Sequence, residues 1–394
     1  MSRSNKNFLA FLALFIIPIS GLSIDIYVPS LPAVSHFFEV DKSLAQLTIT
    51  VYMIGLGIMQ FFAGSISDSF GRRKPFLIAM LIYISATLFI PFVKNIEQLL
   101  FLRFVQGIVI AVIVVPMRSV ISDLFEGPAY YKMANYMTMA WSIGPIIAPA
   151  IGGYLQHYFG WQANFYFLGV YSIISFILIA LYLPDTSAYH HPFHLRKILA
   201  RYKEILMNKE YLISLTINGI LYSIIILFTI VGPFLIQNVL HYSAIEFGHI
   251  ALLTGLAWFL GSMINRFFIH TPLQKKSKLC FWSMFVIAFI SLWVEWMLPM
   301  NIYLIVIPVI LLLLVGGIVF PNNFARAISL FPKTTGSANA LFGGFLFLIS
   351  GISSGLGIFL KSTSEIPLMV AYIALVSLCL ITLSFQTISS KPQI

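Results

Sequence analysis

Gly64-Ser65-Ile66-Ser67-Asp68-Ser69-Phe70-Gly71-Arg72-Arg73-Lys74 joins two long apolar stretches. The chain is mostly apolar from Ser43 onward, and Pro75 opens a second apolar run. Consecutive cations close the connection. Clustered Lys and Arg in a short loop between membrane spans stay cytoplasmic, so this stretch predicts which way the chain threads a bilayer. Gly64 is expected to let one helix end press against another. Asp68 is expected to accept from neighbouring amides or cations. Gly71 suits the φ > 0 turn that reverses the chain. Arg72 and Arg73 are long enough to reach other helix ends or lipid phosphate.

Composition agrees with that threading. Of 394 residues, 59% are hydrophobic and 9% charged, with a mean hydropathy of +0.95. A soluble domain carries about 25% charged residues, so the expected class is an all-α integral membrane protein. The net charge of +10 needs no nucleic acid, because the cations gather in alternate loops and no basic patch is interleaved with aromatics. Cys280 and Cys379 both fall in apolar segments, which argues against a disulfide framework. Arg3 and Lys6 precede a hydrophobic run containing Pro18, and no small-residue cleavage site follows it. The expectation is an uncleaved first span.

Spans of ~20 apolar residues cross a bilayer. Twelve are predicted, at 8–28, 43–65, 75–93, 97–118, 131–156, 163–183, 211–237, 244–270, 278–298, 301–320, 338–360 and 365–386. Loops on one side hold Arg72, Arg73, Lys74, Lys132, the run from Arg196 to Lys209, Lys275, Lys276, Lys278 and Lys333. Loops on the other hold little beyond Lys42, Lys94 and Lys361. Both termini are therefore expected to be cytoplasmic, with Arg3, Lys6 and Lys391 there. The longest polar interruption, 184–210, divides an N-terminal six-helix lobe (1–183) from a C-terminal one (211–394). His190, His191 and His194 lie in it at irregular spacing, which favours a solvated linker over a metal site. Its basic run predicts an amphipathic helix on the inner leaflet. The halves repeat weakly: Gly64 and Asp68 recur as Gly261 and Asn265, as two-lobed transporters do.

Several constellations could carry chemistry. Asp25 sits in the outer part of the first span, where a carboxylate is costly unless it faces protein or a water-filled cavity. It reads either as a proton or substrate site or as a structural helix-end acid. Desolvation and a nearby cation act in opposite directions on such a group. Arg103 lies about 9 Å into the fourth span by helical rise, close to the depth of Asp25. It has two possible partners, Asp25 itself or Gln106 with backbone carbonyls, and its role is either coupling or a static strut. In the fifth span, Ala140, Gly144, Ala148 and Gly152 recur every four residues, followed by Gly153. Small residues at that spacing let helix backbones touch, and Pro145 and Pro149 free carbonyls. Arg118, Asp123 and Arg326 read as locks between inner helix ends, with direct substrate contact the alternative for Arg118. Glu295, between Trp293 and Trp296, reads as interfacial. Polar or amphipathic residues within spans give the cavity candidates Tyr27, Tyr52, Met53, Tyr136, Trp141, Asn218, Tyr222 and Asn339. No Walker loop, nucleophile elbow or HExxH is present, so no enzyme, cofactor or metal is expected.

These pieces together resemble the Bcr/CflA branch of drug:proton antiporters in the major facilitator superfamily. The resemblance rests on Asp25-Ile26-Tyr27-Val28-Pro29-Ser30-Leu31-Pro32, on the Gly64–Lys74 loop with its G-x-x-x-D-x-x-G-R-R pattern, on Arg103 with Gln106-Gly107, on Arg118 with Asp123-Leu124-Phe125, and on Gly144-Pro145 through Gly152-Gly153. It implies the proton or substrate site at Asp25, its partner at Arg103, and a gating helix at Gly144, Pro145, Ala148, Pro149, Gly152 and Gly153. Ala148-Pro149 stands where a glycine is often found in that family, and Asn265 replaces a second-half acid.

The implied function is a proton-coupled exporter of drugs or small amphipathic compounds, working by alternating access. It would act as a monomer in the bacterial inner membrane, with protons, a small-molecule substrate and the bilayer as its partners. A dedicated exporter of an endogenous metabolite, such as a siderophore or amino-acid derivative, is the alternative. A non-transporting receptor is a third reading, and the absence of a signalling domain weighs against it.

Overall fold

A computed structural model describes residues 3–186, 194–268 and 270–385. His190, His191 and Lys391 lie outside these residues. Along the described chain run α1 (Arg3–Ile16), α2 (Ile19–Asp25), α3 (Leu31–Phe37), α4 (Lys42–Phe70), α5 (Arg73–Phe89), α6 (Ile96–Leu124), α7 (Gly127–Phe159) and α8 (Gln162–Tyr182). After them come α9 (Leu195–Leu206), α10 (Lys209–Pro233), α11 (Ala244–Ile264), α12 (Leu273–Met297), α13 (Ile302–Ser329), α14 (Thr335–Gly357) and α15 (Ile366–Ser384).

Among the described residues, eleven helical stretches are long and apolar enough to cross a membrane. The twelfth expected span, 131–156, lies within α7, a continuous helix of 33 residues. Its glycines, prolines and alanines serve contact with other helices, which leaves it less apolar than its neighbours. The first span is longer than predicted, Asn5–Phe37. It is broken where Pro18 and Pro29 withhold amide donors, giving α1, α2, a 3-10 turn at Val28–Ser30, and α3.

The Gly64–Lys74 stretch is mostly helix. α4 runs on to Phe70, and only Gly71 and Arg72 turn the chain before α5. Gly71 has φ +84°, and a Cβ there would sit 1.8 Å from Asp185 Oδ2. Gly64, by contrast, has nothing within 4 Å of where its Cβ would be. The close helix contact expected of it is absent.

We call the end of the bundle that carries Arg72, α9 and Lys275 the basic end. Two seams join helices from the two halves of the chain. One is α4 against α14, the other α7 against α11. Far from the basic end the two halves of the chain are stitched by polar side chains. Gln46 donates to the Ile230 carbonyl at 2.8 Å, Thr50 and Ser354 hydroxyls meet at 2.7 Å, and Lys42 donates to Leu360 O at 3.3 Å. Gln237, on a π-helical turn (Phe234–Val239) that follows Pro233, donates to Pro29 O at 2.9 Å. Toward the basic end, Phe61 touches Phe345 and accepts from the Tyr202 hydroxyl through its carbonyl at 2.5 Å. The amphipathic helix expected in the linker is α9. It buries Tyr202 and Ile205 and exposes Arg196, Lys197, Arg201 and Lys203.

Candidate functional site

α2 is short, and other helices close on it from two sides. On one side it meets α7 at backbone distance: a Cβ at Gly144 would lie 2.9 Å from Pro18 O, and one at Gly152 would lie 1.8 Å from Ile26 O. Gly21 in turn makes room for the Pro145 ring, whose Cδ is 2.6 Å from the position of its Cβ. Any side chain at Gly152 would force the two helices apart. Ala148, one turn before Gly152, is fully buried in this contact. α7 then uses its other face against α11: Gly153 faces Ala244 O, and the Pro149 carbonyl lies 2.6 Å from a Cβ built at Gly248. The small residues of α7 thus touch a helix from each half of the chain.

On its second side α2 meets Arg103, which is 0% exposed. The guanidinium donates from one nitrogen to Ser23 O at 3.1 Å and to Gln106 Oε1 at 2.9 Å. Its carbon lies 4.5 Å from the Tyr52 ring centroid, 5.2 Å from Tyr27 and 5.9 Å from Phe165. Desolvated cation–π contacts are worth ~2 kcal/mol or more. They stand in for the carboxylate that a buried cation ordinarily has. Gln106 donates onward to Thr87 at 2.7 Å, Thr87 to the Tyr83 carbonyl at 2.6 Å, and the Tyr83 and Ser23 hydroxyls meet in a short bond. Of the two partnerships open to Arg103 from the sequence, the structure takes Gln106 with a carbonyl. No ion pair joins it to Asp25.

Asp25 ends α2 and is partly buried. It has no hydrogen bond or ion pair among the described residues. Its charge acts on Tyr52 of α4 and on Tyr222 of α10, a helix of the other half. Ser23, two positions earlier, is turned by about 200° at ~100° per residue, which explains why Arg103 reaches the one residue and not the other.

The remaining candidates are dispersed. Tyr27 and Tyr52 are wholly buried against Arg103, and Met53 is buried beside them. Tyr222 packs edge-on to Phe347 with centroids 5.9 Å apart. Asn218 is buried and donates to Phe320 O at 3.0 Å. Trp141 is half-buried, and Tyr136 is exposed with Lys132 5.9 Å from its ring. Asn339 is exposed in the second turn of α14, toward the basic end.

At the basic end, Arg72 Nε donates to Asp123 Oδ2 at 3.1 Å, its Nη1 to Asp68 Oδ1 at 2.5 Å and Ser67 Oγ at 3.0 Å, and its backbone amide to Asp185 Oδ1 at 3.1 Å. Arg72 lies outside the spans, and the two carboxylates hold its guanidinium above its ordinary pKa despite partial burial. Arg73 donates to Ala180 O at 2.6 Å. Asp123 is therefore a helix-end lock, as expected, and Arg326 is another, paired with Glu210. Arg118 is not a lock. It is exposed and has no partner among the described residues. Glu295 stands two residues before the end of α12 and is 5% exposed, while its neighbours Trp293 and Trp296 are exposed.

Sequence reasoning missed the Tyr83–Thr87–Ser23 chain and the Gln46 and Thr50 stitches. Gln46 and Thr50, one turn apart in an otherwise apolar helix, were a readable signal of a helix–helix face.

Residues 13–355 match the family described as Major Facilitator Superfamily. The bicyclomycin resistance protein homolog of Haemophilus influenzae is 24% identical over 98% of this chain and 98% of its own length. Multidrug resistance protein D of Escherichia coli is 28% identical over 92% of this chain and 91% of its own. Among solved structures, the D-xylose-proton symporter superposes with a TM-score of 0.76 at 12% identity, covering 96% of this chain and 97% of that one. That likeness shows the fold. The chain belongs to the Major Facilitator Superfamily: it is a multi-pass membrane transporter, not an enzyme.

Proposed function

We propose that the chain exports drugs or small amphipathic compounds in exchange for protons, with Asp25 as the group that couples the two fluxes. The observation that carries this reading is that Asp25, on a short helix pressed against α7, has no partner among the described residues and acts through its charge on Tyr222 of the other half. A carboxyl so placed is free to take a proton in one state and to meet cargo in another. Displacing α2 must displace α7, because Gly144 and Gly152 leave no slack between them. Arg103 acts as a fixed cation behind α2. It is held by rings and Gln106, and its remaining nitrogens are unpartnered.

The lobes of the cycle are residues 1–183 and 211–394, joined by 184–210. The α4–α14 and α7–α11 seams are the surfaces on which they rock. The polar stitches are far from the basic end, and Arg118 is exposed toward that end, which supports a conformation open there. With the basic end cytoplasmic, this is an inward-facing state of a monomer in the bacterial inner membrane, with both termini inside. One proton entering down ~100 mV supplies about 2.3 kcal/mol, enough for a ~50-fold accumulation ratio. The names of the bicyclomycin and multidrug resistance relatives support drugs as cargo.

A second reading is a dedicated exporter of an endogenous metabolite that carries an anionic group. Arg118, a partnerless cation on the exposed side of α6, favours it. In vesicles with an imposed pH gradient, Asp25→Asn is expected to abolish pH-driven efflux while the protein elutes as a folded species. Undiminished coupling in that variant overturns the assignment. The charge of the transported compounds separates the two cargo classes.

A further inference from the structure

Glu295 lies near the end of α12, and Glu365 caps the start of α15, both at the end of the bundle opposite the basic one. Both are acids, and both are buried, 5% and 2% exposed. α12 and α15 pack directly on each other, and the charge of Glu365 acts on Glu295 across that contact. Neither carboxyl oxygen of Glu295 has a hydrogen-bond partner among the described residues, and Glu365 Oε2 has none. The Ser362 hydroxyl, three residues before Glu365, is likewise buried without a partner.

No cation answers these charges. The outer half of α12 has no other titratable group, and that of α10 has only Tyr222, next to the helix midpoint. Lys42 of α4 donates to Leu360 O at 3.3 Å and forms no ion pair with either acid among the described residues. α13 offers Tyr303, which is exposed, α15 offers Tyr372 two turns deeper, and Lys361 on the connecting segment is exposed. Two ionised carboxylates buried within range of each other's charge and without a counter-charge repel each other and lose hydration, and the usual resolution is that the two keep one proton.

We infer that Glu295 and Glu365 hold one proton between them, forming a second protonatable centre in the second half of the chain. Glu365 lies outside the spans, and burial pushes its carboxyl above the ordinary range. The pair does not depend on Asp25 and stands or falls separately from the transport reading. If the transport reading holds as well, each half of the transporter carries a proton site.

The test is infrared absorption of protonated carboxyl groups in the purified full-length Asp25→Asn protein, which removes the contribution of Asp25. At about pH 7 it should show one protonated carboxyl more than the same protein carrying Glu295→Gln and Glu365→Gln, and that band should titrate away in alkali at about tenfold lower proton concentration or beyond. If the double replacement fails to fold, the pH titration of the Asp25→Asn protein alone still decides, because ordinary carboxyls are ionised at neutral pH. Absence of a protonated carboxyl there overturns the inference. So does thermal stabilisation by Na⁺ or Ca²⁺, against choline chloride, that is present in the Asp25→Asn protein and lost with Glu295→Gln, because the pair would then be a metal-cation site.

Discussion

The same corner is built twice in this chain, from different chemistry. In the first half the turn after α4 is held by charge: Arg72 forks onto Asp68 and Asp123, and its amide meets Asp185. In the second half the corresponding turn after α11 is held by a neutral amide. Lys276 Nζ donates to Asn265 Oδ1 at 2.7 Å, and Asn265 Nδ2 donates to Asn322 Oδ1 at 2.7 Å. The backbone contacts are reversed as well. Gly261 presses on α13, where a Cβ would lie 2.0 Å from Leu314 O, while its counterpart Gly64 faces open space. The first corner thus relies on ion pairs at a partly exposed surface, the second on close packing with one buried cation. The weak repeat in the sequence keeps the position of the corner and not the force that holds it.

The largest effect should come from the glycines. Gly261→Ala drives a methyl into a backbone carbonyl that cannot rotate away, and overpacking of that kind costs about 3 kcal/mol or more. Gly64→Ala adds a methyl to an open helix face and should gain up to ~1 kcal/mol from helix propensity. Thermal unfolding of the two purified variants checks this. Equal losses at both positions would mean that the corners are built alike after all.

Next in size is Arg72→Gln. The Asp68 contact is more than half exposed on the acid side and contributes under ~0.5 kcal/mol, as surface pairs do. The Asp123 contact is more enclosed, and removing the guanidinium leaves that carboxylate with only Thr186 at 2.8 Å. A loss of about 2 kcal/mol is expected. Wild-type stability at this corner should also fall with added salt, since screening acts on exposed pairs. A melting temperature that is insensitive to both changes would place the strength of the corner in Gly71 and its turn instead.

Much of this was legible beforehand. The positive-φ turn at Gly71, the acceptor role of Asp68 and the reach of Arg72 to another helix end are all readable from residue type, because a reversal between two spans leaves few residue types able to do each job. The four-residue spacing in α7 announced close helix contact, though not with which helices. What failed had physical causes. The expected span stops at residue 65, five residues before α4 ends, because a polar sequence outside the apolar layer still makes helix when held by tertiary bonds. The burial of Glu295 was not announced by its exposed Trp neighbours: at ~100° per residue an acid two positions after Trp293 points away from it. Arg103 showed its depth but not its partner, since residues two apart on α2 face opposite ways and no spacing rule says which one a distant helix meets.

The smallest expected effect sharpens the contrast most. Asn265→Asp gives the second corner the charge that the first one has. Lys276 is only 4% exposed, so its ammonium would meet a carboxylate at hydrogen-bond distance, and bonds to charged partners exceed neutral ones by about 1 kcal/mol. The amide donor to Asn322 is lost, but the Asn322 side chain can turn to present its own NH₂ to the new carboxylate. A gain of ~1 kcal/mol at low salt, from thermal unfolding, is therefore expected, with little salt dependence because the pair is buried. A loss instead would mean that Asn322 cannot turn and that the neutral corner is fixed by packing around its amides. The absence of an acid there would then reflect geometry rather than a missing charge.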